Sequence, residues 1–96
     1  MRMQATHDVI IFLGNMFYSG RALNVSEIGM FINTRMSIPS QSMFILIIHL
    51  DNETLKVTAK VERIMKNNGI SDGMGVKLFN PTSKYKNFVN NLLPVF

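Results

Sequence analysis

The sequence predicts a mainly all-β domain: six antiparallel strands closed into a barrel, with a C-terminal α-helix packed on one opening. Three observations predict it. Leu55, Val57, Ala59 and Val61 alternate with Lys56, Thr58, Lys60 and Glu62, a period of two with one dry face and one wet face. Short apolar segments separated by Gly, Asn, Asp, Pro and Ser recur up to Asn80. Beyond it, Tyr85, Phe88, Val89 and Leu92 fall at i, i+3, i+4 and i+7, one apolar helical stripe opposite Lys84, Lys86, Asn87, Asn90 and Asn91.

In chain order, Asp8–Leu13 is the first strand. Gly14-Asn15 turns it into a second extended stretch from Met16 to Asn24, a hairpin. Met30–Thr34 is the third strand, and Ser37, Pro39, Ser40 and Ser42 mark the loop after it. Met43–Leu50 reads as a buried strand by length and β-branching, although periodicity alone does not separate it from a helix segment. Asp51-Asn52 is turn chemistry and leads into the alternating strand. Asn67-Asn68-Gly69 and Asp72-Gly73 bound a loop, and Met74–Phe79 alternates as the sixth strand. Asn80-Pro81-Thr82-Ser83 stops that strand and offers caps for a helix from Ser83 to Leu93, which Pro94 closes.

A chain of 96 residues holds one domain, residues 1–96, and 47% hydrophobic against 17% charged residues places it among globular rather than disordered chains. The absence of cysteine argues against a disulfide-stapled secreted module and excludes thiolate zinc. The longest apolar run, Met43–Ile48, is far too short to span a membrane, and no secretory signal precedes it. The expectation is a soluble cytoplasmic domain without membrane insertion. A net charge of +4 favours an anionic partner. No basic arm is present and the aromatics are not interleaved with cations, so DNA and RNA are not expected partners. His7 beside Asp8, and His49, are the only histidines; with no nucleophilic cysteine, serine elbow or metal-ligand spacing, the chain is read as a non-enzyme without metal or cofactor.

The segment Asn24-Val25-Ser26-Glu27-Ile28-Gly29 lies between two strands, where backbone is free to approach a ligand. Asn24 offers an amide that donates and accepts, and Ser26 a hydroxyl on the same face of extended chain. Gly29 lacks a Cβ, so its main chain is free to face an anion closely or to adopt positive φ. An ordinary Asx or Ser turn with glycine at its exit accounts for the same three residues. Arg21, three residues upstream, is either a phosphate contact or a solvent-facing strand residue. Arg35, Arg63, Lys56 and Lys60 read as solvated surface.

Asn24-x-Ser26-x-x-Gly29, followed by Met30-Phe31-Ile32, resembles the second signature of PilZ domains, (Asp/Asn)-x-Ser-x-x-Gly. Gly73-Met74-Gly75-Val76 looks like the family's Gly-x-Gly-Val strand, and the terminal helix stands in the expected place, so the resemblance covers nearly the whole chain. It implies a six-stranded barrel that binds cyclic di-GMP. Asn24 would then hydrogen-bond a guanine edge, Ser26 would contact guanine or phosphate, and Gly29 would let the turn close on the ligand. The family's other signature, Arg-x-x-x-Arg, grips phosphates and guanine edges. Here Arg2 suits the second arginine, and the first would fall before Met1: either the chain begins late or half of the motif is missing. The expected ligand-binding residues are Asn24, Ser26, Gly29, Arg2 and Arg21. The expected function is a sensor that couples cyclic di-GMP to a protein partner; the alternative is a degenerate PilZ-like adaptor that acts by protein contacts alone.

Overall fold

The computed structural model describes residues 7–36, 38–50, 52–67 and 70–92. Expectations at Arg2, Ser37, Asp51, Asn68-Gly69, Leu93 and Pro94 lie outside the described residues, as does the side chain of Leu92. The elements are β1 (His7–Leu13), β2 (Met16–Leu23), β3 (Gly29–Asn33), β4 (Met43–His49), β5 (Thr54–Asn67), β6 (Ile70–Phe79) and α1 (Ser83–Leu92). The strands form a closed antiparallel barrel in the order β1-β2-β3-β6-β5-β4, and β4 pairs back onto β1 with Ile10 opposite Ile47 and Phe12 opposite Ile45.

The period of two fixes the interior. Val9 and Ile11 of β1, Met30 and Ile32 of β3, and Phe44, Leu46 and Ile48 of β4 are buried, together with Leu55, Val57, Ala59 and Val61 of β5 and Met74, Val76 and Leu78 of β6. Each of these side chains except that of Ala59 contributes about 1.5–3 kcal/mol when fully withdrawn from water. Lys56 stays exposed, and Thr58 and Lys60 are half-buried, as the alternation predicts. The helix closes one end. Thr82 is its N-cap: its hydroxyl accepts from the Tyr85 N–H at 3.2 Å, and its carbonyl accepts from the Lys86 N–H at 3.1 Å. The stripe residues Tyr85, Phe88 and Val89 are buried in the barrel core. The His7 ring meets Phe88 edge-on at 5.2 Å, which ties the helix to β1.

One expectation is corrected. Asp72-Gly73 does not bound a loop: β6 runs back to Ile70, and β5 runs on to Asn67, so the two form a long hairpin. Gly73 is buried in a strand because a Cβ there would lie 2.4 Å from the Phe31 ring and 2.9 Å from the Ile32 carbonyl. A glycine inside a strand marks such a close approach as readily as a turn. The hairpin also carries register shifts between Val61 and Arg63 and between Met65 and Lys66.

Candidate functional site

The segment between β2 and β3 builds one wall of a groove. Asn24 leaves the β2 direction at φ 51°, a left-handed conformation that asparagine tolerates better than most residues. Val25 is buried beneath it and pins the turn to the core. Ser26 ties the rest together. Its N–H donates to the Gly29 carbonyl at 2.9 Å and its hydroxyl donates to the same carbonyl at 3.1 Å. The hydroxyl also accepts from the Gly29 N–H at 3.2 Å and from the Ile28 N–H at 3.4 Å. The Ser turn that the sequence allowed is present, and it engages this hydroxyl within its own loop.

Gly29 does not use positive φ; among the described glycines that conformation belongs to Gly14. Its lack of a side chain serves packing: a Cβ would lie 2.4 Å from the Val76 carbonyl oxygen, so only glycine lets β3 start this close to β6. The Ile28 carbonyl, one residue earlier, accepts from the Leu78 N–H at 2.9 Å. From below, the Tyr85 hydroxyl donates to the Ser26 carbonyl at 2.6 Å. Burial, and then the nearby Glu27 carboxylate, push this phenol well above its ordinary range, so it remains a donor. This hydrogen bond ties the helix to the loop.

The groove is about 550 Å³ and open to solvent. Asn24, Ser26, Gly29 and Phe31 form one side, Gly75 and Lys77 of β6 the floor, and Glu62, Arg63 and Met65 of β5 the far side. Register explains the convergence: Gly29 pairs with Lys77, and Gly75 lies opposite both Phe31 and Arg63. The bulge after Val61 turns Glu62 and Arg63 outward in succession and returns Ile64 to the core side. Lys60 lies directly opposite Lys77, a like-charge pairing that costs stability in a sheet. Among the described residues neither Arg63 nor Lys77 forms an ion pair, while Lys77 lies 5.8 Å from the Phe79 ring centre. The groove thus offers an amide, a half-buried aromatic ring and two cations outside any ion pair against one carboxylate, Glu62, a balance that still favours a planar, anionic ligand.

The predicted site residues do not all meet. Asn24, Ser26 and Gly29 share this groove. Arg21 opens onto a separate depression of about 790 Å³ with His7 and His49, and its side chain pairs with Asp8 at 3.6 Å in an exposed setting. Arg2 lies outside the described residues. The sequence reading missed Arg63 and Lys77 as groove residues and the Tyr85 hydroxyl as the loop's anchor. A signal for Arg63 was present: apolar positions run odd from Leu55 to Val61 and then even at Ile64, the phase slip of a bulge. A signal for Tyr85 was its place on a buried stripe, since a buried phenol needs a partner.

Among the described residues no three of His, Asp or Glu come together as a metal-binding group, and no helix is long and apolar enough to cross a membrane. No curated protein matches the chain. A family model described as PilZ domain matches residues 1–93. With the closed six-stranded barrel, the loop Asn24–Gly29 and the terminal helix all in place, the chain belongs to the PilZ domain family, a family of cyclic di-GMP-binding domains.

Proposed function

We propose that this domain is a non-catalytic, cytoplasmic sensor that binds cyclic di-GMP in the groove beside Asn24–Gly29 and passes the binding event to a protein partner. The observation that carries the reading is the convergence of the Asn24–Gly29 loop with Arg63 and Lys77, which outnumber the one carboxylate of the groove, Glu62. In this reading the Asn24 amide reads a guanine edge, and the Ser26 hydroxyl exchanges one of its loop bonds for guanine or phosphate. Arg63 and Lys77 meet the phosphates, with Arg2 as a further phosphate contact. Phe31 offers a ring face to a base. Arg21, facing another depression, has no part in the groove. Ligand contacts bias the loop, and the Tyr85–Ser26 bond hands that bias to α1. The family assignment supports this reading, and no cofactor enters it.

The second reading, an adaptor that does not bind the nucleotide, is favoured by one observation: the Ser26 hydroxyl is already engaged by its own loop. Calorimetric titration with cyclic di-GMP separates the two. The sensor gives saturable heat at low salt, an affinity that falls as salt rises, and a loss of about tenfold or more in each of Arg63→Ala and Lys77→Ala. No heat at low salt, and no amide shifts along Asn24–Gly29, leaves the adaptor.

A further inference from the structure

On the other side of the barrel the outward positions are apolar where solvent-facing strands are ordinarily polar. Strand pairing sets Phe12 opposite both Phe17 and Ile45, and Ile10 opposite Ile47. The Phe12 and Phe17 ring centres are 4.8 Å apart, and Phe17 is 65% exposed at the hairpin end, with Met16 beside it at 56%. Phe12, Phe17, Ile45 and Ile47, with Lys56 and Thr58 of β5, line a groove of about 360 Å³. Ile10, Phe12, Ile45 and Ile47 are half-buried beside the exposed Met16 and Phe17, and apolar residues clustered in this way mark an interaction site more readily than scattered single ones.

Three features decide the occupant. Phe12 pairs with Phe17 on one side and Ile45 on the other, and Ile45 with Phe12 and Thr58, so the strands under the groove are paired on both edges and a partner seated in it docks by side chains. The β5 rim is cationic, with Lys56 opposite Ile47 and Lys60 opposite Met43, and no carboxylate lines the groove. Asp8, at the far end of β1, is taken by Arg21. A second copy brings the same lysine-rimmed face and leaves those cations without a counter-charge. A membrane surface is held by clusters of about four to eight basic residues, and this rim has two.

We propose that this outer face of β1, β2 and β4 is the docking surface for an amphipathic partner helix whose apolar row is flanked by Asp and Glu. Phe12 and Phe17 form the anchoring pocket, and Lys56 and Lys60 set the orientation by pairing with the acidic flank. The proposal rests on the part of the sensor reading that gives the domain a protein partner, and it is independent of the nucleotide.

The test uses the full chain, isotope-labelled, with a synthetic amphipathic helical peptide of Leu, Ala and Glu, a counterpart carrying Lys at every Glu position, and phosphatidylglycerol vesicles. The Glu peptide is expected to shift the methyl signals of Ile10, Ile45 and Ile47 in a saturable way, and the Lys peptide to leave them in place. Phe17→Ser is expected to weaken the binding by about tenfold or more. Lys56→Glu is expected to weaken it about threefold, as an exposed pair does. Both positions are exposed, so both variants are expected to keep the wild-type melting midpoint, which isolates docking from folding. The proposal is overturned by no methyl shift with the Glu peptide, or by equal shifts with both peptides. It is also overturned by Phe17-dependent vesicle binding or self-association in place of peptide binding. Cyclic di-GMP is absent throughout, so none of these failures bears on the nucleotide reading.

Discussion

Where β3, β6 and β5 face outward they present Gly29, Phe31, Gly75, Lys77 and Arg63; where β2, β1 and β4 face outward they present Phe17, Phe12, Ile10, Ile45 and Ile47. Both sides rest on the same interior, a shell of Val, Ile, Leu, Met and Ala at alternate positions. Folding constrains that inner half through burial and leaves the outer half comparatively free. The chemistry that differs between the two outer faces is therefore the part of the sequence that reports on use: an excess of cations beside a tied loop on one side, an apolar groove with a lysine rim on the other.

The largest expected effect removes what the two faces share. Val61 is fully buried where β5 approaches its bulge, and Val61→Asp buries an unpaired carboxylate. Urea or thermal denaturation should show a loss of about 3 kcal/mol or more, with both faces lost together. Lys60→Ala, one residue away on the outer side, should change stability by about 0.5 kcal/mol or less. Equal losses in the two variants mean that the inner and outer faces have been assigned the wrong way round.

The shared interior is also the part that was legible in the sequence. Leu55 to Val61 announced one buried face by period alone, and the i, i+3, i+4 spacing of Tyr85, Phe88 and Val89 announced the helix. The loop carrying Asn24, Ser26 and Gly29 was legible as a turn and as a family signature. Its partners across the groove were not, because Arg63 and Lys77 reach it through pairings remote in sequence and through a bulge that shifts the phase. Asp72-Gly73 misled for a related reason: locally it is turn chemistry, and only the Phe31 ring packed against Gly73 makes it strand. Arg21 looked close to Asn24 because three residues separate them, yet β2 ends between them and Arg21 faces a different depression.

A smaller effect tests how the cationic face is coupled to the helix. Tyr85→Phe keeps the ring in the core and removes the hydrogen bond to the Ser26 carbonyl, a loss of about 1 kcal/mol. The pH dependence sharpens this. The folded protein holds the phenol above its ordinary value of 10.0, so the stabilisation is fully present below about pH 10 and is lost as the pH rises beyond it. Urea titrations at rising alkaline pH should therefore show the wild type falling toward Tyr85→Phe. A constant gap between the two proteins across that range means that the phenol is not the group being titrated. The apolar face should be indifferent to this change, since its residues make no contact with the Tyr85 hydroxyl.

The smallest effect asks whether Asn24 belongs to the fold or to the ligand. Its φ of 51° charges alanine about 1 kcal/mol and glycine almost nothing, so Asn24→Ala should destabilise the domain by about that amount and Asn24→Gly should be close to neutral. Both substitutions remove the amide. If the amide reads a guanine edge, both weaken cyclic di-GMP binding by about fivefold, the worth of one neutral hydrogen bond. If Asn24 serves only to turn the chain out of β2, Asn24→Gly binds as the wild type does and Asn24→Ala alone is impaired. Stability and affinity measured on the same two variants thus separate a residue that shapes the groove from one that recognises what enters it. The apolar face supplies the control: peptide binding at Phe12 and Phe17 should be the same in both variants, because that groove is built from other strands.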